Sequence, residues 1–441
     1  MSSNVVTRIP PSPTGRLHIG TARTALFNYL FAKHNGGTIV FRSEDTDKAR
    51  SSKEYEDEII EGLAWLGISW DSFSRQSERA ERYHEILEKI VGEGKAYVSA
   101  EPSREDPNKI IEVIRLRNPG TSITFTDLVR GDITFNTDEL GDFVIARSVT
   151  DALYHFAVVV DDMDSGVTYV IRGEDHISNT PRQILIQEAL GATRPAYVHL
   201  PLILDENRAK LSKRSGATSV MEYRNEGILP EALVNYFVLL GWNPGDNREH
   251  FSLAQLVEEF SLDGVQKSGA IWNREKLLSV NQHWMRQLSD NDFLSHLEAE
   301  LPNTKIITLL KERAKTFKEA REMLAGELSC FFNEPKLDKN LLLAKEPAGR
   351  YGMAISALKG LLEPIKRLKN DVSAEAVKEA LMPIADAEEA KGKGGRGAVL
   401  WPLRYALSGR ERSPDPFTLI SIIGAEKAIS RIQKAIAILG E

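Results

Sequence analysis

The chain reads as an α/β half built on a parallel sheet, followed by a helical half. Two patterns predict this. Strand-like runs alternate with helical ones up to about residue 205, and from about 206 onward helical periodicity takes over. "VVTRI" (5–9) is strand-like and leads through a proline-rich loop to the helix "TARTALFNYLFAKH" (21–34). In that helix Ala22, Ala25, Leu26, Tyr29 and Leu30 recur at helical spacing and make one apolar face. "TIVFRS" (38–43) is the next strand, so strand, helix and strand form a right-handed βαβ unit of a parallel sheet. In "SEDTD" (43–47), Thr46 and Asp47 are candidates to cap a following helix.

A second alternating cluster comprises "ALYHFAVVVDD" (152–162), "GVTYVIRGEDH" (166–176) and "PRQILIQEALGA" (181–192). The helical half is typified by "LPEALVNYFVLLGW" (229–242) and "ISRIQKAIAILG" (429–440). There is no internal repeat, and "EEAKGKGGRG" (388–397) is the only strongly biased stretch.

With 441 residues the chain has room for about two to four domains. Its 42% hydrophobic and 27% charged content is ordinary for a soluble protein. No apolar run approaches the roughly 20 residues of a membrane helix, and the polar, then strand-like start does not read as a signal peptide. Cys330 is the single cysteine, which excludes an internal disulfide and a cysteine-cluster zinc site. A cytoplasmic protein is expected.

The net charge of −7 argues against a nucleic-acid partner, but its distribution does not. Residues 291–441 carry 24 Lys and Arg against 21 Asp and Glu, and residues 391–412 hold six basic groups against one acid. A local basic face can bind phosphates even on an acidic protein.

The loop "RIPPSPTGRLHIG" (8–20) lies between the first strand and the first helix. Ligands of open α/β sheets bind at the carboxyl ends of the strands, where a helix N-terminus offers free N–H groups to phosphate. His18 can therefore touch a nucleotide's phosphates, and Gly20 lets its base or ribose come close. The same residues also suit a surface loop, and no G-x-G-x-x-G fingerprint is present.

A second stretch narrows the choice. "HIG" paired with "KLSKR" (210–214) resembles the two signatures of the class I aminoacyl-tRNA synthetases. More narrowly, the opening loop and helix, "RSEDTDKAR", "RQSER", "VIRGEDHISNTPRQ", "HLPLILDENRAKLSKR" and "GILPEALVNYFVLLGW" resemble the bacterial glutamyl-tRNA synthetases in order and spacing. The likeness runs from residue 5 to about 290 and continues more weakly through "LKERAKTFKEA" and "WPLRYALSGR".

The resemblance implies a Rossmann-type catalytic domain in two parts, 1–82 and 155–205, split by a shortened acceptor-binding insertion at 83–154. It further implies a KLSKR-loop and stem-contact region at 206–290 and an all-α anticodon-binding domain at 291–441. The implied partners are ATP with Mg2+, L-glutamate and tRNA(Glu); no zinc and no membrane are expected, and a monomer is. By the family pattern His18, Lys210 and Lys213 are catalytic, and Gly20, Thr21, Leu211 and Ser212 join them around ATP. Arg8, Ser12, Glu44, Tyr154 and Arg172 match the glutamate contacts, with Arg8 as main side-chain cation and Glu44 on the α-ammonium group. Arg313 and Arg404 match arginines that contact anticodon bases.

The chain departs from the pattern at Pro10, at Ser215 and in the short insertion, which lacks the cysteines of zinc-binding forms. Three other readings compete: an enzyme glutamylating a modified anticodon base, a non-catalytic tRNA-binding relative, and a cytidylyltransferase. The helical half argues against the first and third, and His18 with Lys213 against the second. Discrimination between tRNA(Glu) and tRNA(Gln) is not readable from these motifs.

Overall fold

The structure is a computed structural model that describes residues 4–103, 106, 108–211, 219–343, 351–369, 371–390 and 395–440. The chain divides into two compact units, Met1–Trp284 and Met285–Glu441.

The first unit opens with β1 (Val6–Ile9), α1 (Ile19–His34), β2 (Thr38–Ser43), α2 (Lys53–Trp65) and β3 (Ser72–Arg75). Next come α3 (Ala80–Gly92), β4 (Ala96–Pro102), β5 (Ile110–Leu116), β6 (Ser122–Asp127), β7 (Gly131–Asn136), β8 (Phe143–Ser148) and β9 (Asp151–Ala152). The chain then returns through α4 (Tyr154–Asp164), β10 (Tyr169–Gly173), α5 (Thr180–Leu190) and β11 (Ala196–Leu200). β12 (Ile203–Leu204), α6 (Val220–Asn225), α7 (Pro230–Leu239), α8 (Leu253–Glu259) and β13 (Ala270–Ile271) follow, and α9 (Arg274–Gln287) runs across the division.

β1 pairs with β2 and β2 with β3, all parallel, and β10 pairs in parallel with β11. β1 and β10 start side by side: Thr168 N donates to Val6 O at 3.0 Å, and Val6 N to Thr168 Oγ1 at 2.8 Å. Further along they part. The Ile171 carbonyl is met not by a β1 amide but by Arg8 Nη1 at 3.2 Å and Asn28 Nδ2 at 3.0 Å. Side chains thus close the gap between strands, and the strand succession reverses there. Such a switch point leaves a crevice beyond the carboxyl ends of the strands.

β4, β5, β8 and β9 make an antiparallel sheet of their own, whereas the β6–β7 hairpin joins the β10–β11 sheet through β6. The short segment between the two halves of the parallel sheet is therefore partly built into that sheet. One hydrophobic cluster runs through both, from Val6 and Val40 to Phe125, Ile145, Phe156 and Tyr197.

Helix α1 corrects the expected single apolar face. Phe27 and Phe31 are buried as well as Ala22, Ala25, Leu26 and Leu30, and so are Arg23 and Asn28, whereas Tyr29 is only partly buried. The helix is covered on both sides. Its sheet-facing residues meet β1 and β10, while Phe27 packs edge-on against Phe260, just past α8, at 5.3 Å. Its polar residues are absorbed by backbone carbonyls that the packing would leave bare: Arg23 donates to Leu240 O and Pro201 O.

The capping expectation at residues 46 and 47 is also corrected. Ser52 caps α2, its Oγ accepting from Tyr55 N at 3.2 Å. Asp47 instead closes the preceding turn, accepting from Arg50 N at 3.2 Å and Arg50 Nε at 2.7 Å.

The second unit contains α10 (Asp290–Leu297), α11 (Lys305–Arg313), α12 (Phe317–Ala325), α13 (Tyr351–Lys366) and α14 (Ala374–Ala390). It ends with α15 (Gly397–Ser408), α16 (Pro416–Ile423) and α17 (Ala425–Gly440), and no strand occurs among its described residues. Ser289, Thr316 and Asp415 cap α10, α12 and α16 through side-chain oxygens. Arg431 on α17 is buried and donates to Leu407 O at 2.7 Å and Cys330 O at 2.9 Å. Cys330 is buried beside it, and that burial pushes its thiol up to about 11, which makes it unreactive.

Candidate active site

The proline-rich loop works through its carbonyls. Proline has no N–H to give, but Pro11 O accepts from Glu44 N at 2.9 Å and Pro13 O from Ser52 N at 3.0 Å. The loop is thereby stitched to the segment after β2. At its exit His18 caps α1, with Nδ1 accepting from Gly20 N at 3.1 Å. Since Nδ1 accepts, the neutral ring carries its proton on Nε2. A Cβ on Gly20 would meet no protein atom nearer than His18 Nδ1 at 3.4 Å.

That cavity, of about 280 Å³, lies at the switch point and is lined by Arg8, His18, Gly20, Thr21, Arg172, Lys210 and Leu211 among others. Seven of the residues singled out from the sequence thus come together. Ser12, Glu44 and Tyr154 line a neighbouring cavity of about 850 Å³. Ser212 and Lys213 lie outside the described residues. Lys210 is tied down at the cavity lip, its Nζ donating to Asp175 Oδ2 at 2.8 Å. Burial disfavours the charged Asp175 carboxylate, but Lys210 outweighs it and holds the carboxyl below its ordinary value.

The two arginines differ in their attachment. Arg8, 2% exposed, donates from Nη1 to Ile171 O, and its Nε lies 3.6 Å from Asp162 Oδ1 without a hydrogen bond. Arg172 is held by three bonds, from Nε to His199 Nε2 at 3.1 Å, Nη1 to Gln183 Oε1 at 2.7 Å and Nη2 to Thr180 Oγ1 at 2.8 Å. Burial first, and then the like charge of Arg8, lower the Arg172 guanidinium. Two cations facing one cavity invite an anion.

Between the two cavities lies a buried ion network that sequence reasoning missed. Arg42 is fully buried, with Nη1 2.6 Å from Asp162 Oδ1, Nη2 3.0 Å from Glu44 Oε1 and Nε 3.6 Å from Asp161 Oδ2. Asp161 also accepts from Gln76, Arg79 and Tyr83. Burial opposes ionisation of Asp162, yet Arg42 and Arg8 hold its carboxyl below the ordinary value. For Glu44 burial wins over Arg42, and the carboxyl sits above its ordinary value. The signal was present: charged residues closing the apolar runs "TIVF" and "VVV". Their partners, some 120 residues apart, were not legible.

Tyr154 keeps 36% of its surface exposed, yet its phenol is pushed up to about 12, by desolvation and then by Glu44.

In the second unit Arg313 pairs with Glu327 at 2.7 Å. Arg404 stacks over the Trp401 ring at 4.6 Å and donates from Nη2 to Glu411 O at 2.7 Å. Arg404 thus fastens the chain beyond α15 as well as presenting a guanidinium.

A parallel sheet with a crevice at its switch point, a histidine-capped helix beside it and a second unit whose described residues form no strand are the architecture of an open α/β ligand-binding protein with a helical partner domain. The model of the class I tRNA synthetase (E and Q) catalytic domain matches residues 4–112 and 101–279, and an anticodon binding domain model matches residues 253–436. The chain belongs to the class I tRNA synthetases of the E and Q type, and it is an aminoacyl-tRNA ligase. It is similar to a glutamate tRNA ligase from Elizabethkingia meningosepticum, solved in complex with its amino acid, at 32% identity and a TM-score of 0.84, covering 99% of each chain. It is also similar to a glutamate-tRNA synthetase from Elizabethkingia anophelis, at 32% identity and a TM-score of 0.81, covering 99% of this chain and 100% of the other.

Proposed function

We propose that this chain activates L-glutamate with ATP and Mg2+ and transfers it to the 3′ end of tRNA(Glu). A glutamate carboxylate oxygen attacks the α-phosphorus, the bond to pyrophosphate breaks, and glutamyl-adenylate forms. A terminal ribose hydroxyl of the tRNA then attacks the glutamyl carbonyl, and AMP leaves. Two buried guanidiniums lining one crevice, Arg8 and Arg172, carry the choice of an acidic amino acid. Glu44 answers the α-ammonium group, and Ser12 and Tyr154 complete the amino-acid side.

His18, through its Nε2 proton, and the N-terminus of α1 donate to the phosphates as negative charge gathers on them, with Thr21 and Leu211 lining the same cavity. Lys210 supplies a cation by exchanging Asp175 for phosphate, and Lys213 joins it by the resemblance of "KLSKR" to the family signature. The helical unit reads the anticodon with Arg313 and Arg404, since single-stranded bases are recognised by guanidinium stacking and hydrogen bonds to exposed edges.

The test is aminoacylation by the purified chain with glutamate and glutamine, each offered with tRNA(Glu) and tRNA(Gln) transcripts. Glutamate charging of tRNA(Glu) is expected. Charging with glutamine alone, or none with either amino acid, refutes the reading.

A further inference from the structure

Two fully buried titratable groups, Asp127 and His199, have no part in the chemistry above, yet they stand directly behind Arg172. Asp127 ends β6 and His199 lies on β11, and the side chains of both are 0% exposed. His199 Nδ1 is 2.7 Å from Asp127 Oδ2, and His199 Nε2 receives Arg172 Nε at 3.1 Å.

A guanidinium has only donors, so Nε2 must be the bare, accepting nitrogen. The imidazole proton is then on Nδ1 and is donated to Asp127. Asp127 is itself fixed as a carboxylate. Its Oδ1 accepts from Val129 N at 3.0 Å and Arg130 N at 2.8 Å, and its Oδ2 also accepts from His199 N at 3.0 Å. Every oxygen faces backbone donors, so an amide in its place would set N–H against N–H.

We infer that Asp127 and His199 are positioning residues for amino-acid selection. The carboxylate sets the histidine tautomer, and that tautomer aims Arg172 at the substrate's acidic side chain. This rests on the reading of Arg172 as a glutamate contact. Gln183 and Thr180 hold the two Nη atoms and the Tyr197 ring lies 5.8 Å from the guanidinium carbon, while among the described residues His199 is the partner of Nε and completes the set that orients the group.

The experiment measures glutamate and ATP Michaelis constants and kcat in tRNA charging, with folding checked by circular dichroism and melting. His199→Phe keeps the aromatic packing against Phe125 and Tyr197 and removes the acceptor. Losing a hydrogen bond to a charged group should raise the glutamate constant roughly 10- to 100-fold, with the ATP constant within about twofold. His199→Gln, which can offer an oxygen to Arg172 and an N–H to Asp127, should recover most of the loss. Equal changes in both constants, or no rescue by glutamine, overturn the proposal.

Arg172→Gln separates the two levels. If it leaves the glutamate constant unchanged, the reading of Arg172 fails and the proposal with it. If it raises that constant while His199→Phe does not, only the positioning role fails. A measurement on the unaltered chain guards against variants that do not fold. Long-range ¹H–¹⁵N spectra at neutral pH should report His199 as the Nδ1–H tautomer, and an Nε2–H tautomer or an imidazolium overturns the proposal.

Discussion

Arg42→Met removes a cation that touches Glu44, Asp161 and Asp162 together, while keeping a long side chain in the space. Breaking a buried ion pair by deleting one partner costs about 3–5 kcal/mol, because the remaining charge stays buried and uncompensated. That is a large share of the roughly 5–15 kcal/mol by which a domain is stable. The loss has a definite pH dependence. In the intact protein Arg42 and Arg8 outweigh burial and lower the Asp162 carboxyl, so its stabilisation is present above the unfolded value of about 4 and disappears as pH falls through the folded value. Without Arg42, Arg8 and Arg172 are left to oppose burial, and the carboxyl is expected to rise above its ordinary value. The variant then loses stability as pH rises from about 4 toward neutrality. Urea unfolding followed by circular dichroism at about pH 4.5 and about pH 7.5 should show the larger gap from wild type at the higher pH. A loss below about 1 kcal/mol at neutral pH, or an equal loss at both pH values, refutes the argument.

Lys213→Ala should slow glutamate-dependent ATP–pyrophosphate exchange, assayed with tRNA present, by about 10²–10³-fold, and an unchanged rate removes Lys213 from the mechanism. Arg8→Leu should raise the glutamate Michaelis constant far more than that for ATP, by the loss of a charged hydrogen-bonded pair worth several kcal/mol, measured by steady-state charging. Burial holds the Glu44 carboxyl above its ordinary value; a bound ammonium draws it down and releases a proton. Glutamate affinity should therefore rise with pH through the free-site value and level off above it, a slope that titration calorimetry should find abolished in Glu44→Gln. Arg313→Gln should relax selectivity between tRNA(Glu) and tRNA(Gln) by roughly 1–3 kcal/mol, by analogy with bidentate contacts to DNA bases, while the glutamate and ATP constants stay near wild type; charging kinetics on both transcripts decide it.

What the sequence determined by itself was local or periodic. The β1–α1–β2 unit, the loop delivering His18 to a helix N-terminus and the helical pattern that dominates after about residue 206 follow from spacing within a dozen residues. Helix N-termini, turns and apolar stripes are set by neighbouring residues, so they can be read along the chain. Even here tertiary structure overrode the local pattern. Helix α1 reads as one-faced but is buried nearly all round, because α7 and α8 cover the side away from the sheet. Ser52, not Thr46 or Asp47, caps α2, because a turn intervenes.

What only the fold decided is which charges meet. Arg42 finds Asp162 120 residues away, Arg8 reaches Ile171 across the gap between two strands, and His199 meets Asp127 72 residues earlier on β6. None of these pairs has a sequence signature, because a buried charge needs its counter-charge in space and not along the chain. The sheet's reversal at β1 and β10 brings them together: it opens a crevice whose walls come from distant segments, and the arginines there are held by carboxylates, carbonyls and an imidazole from those segments.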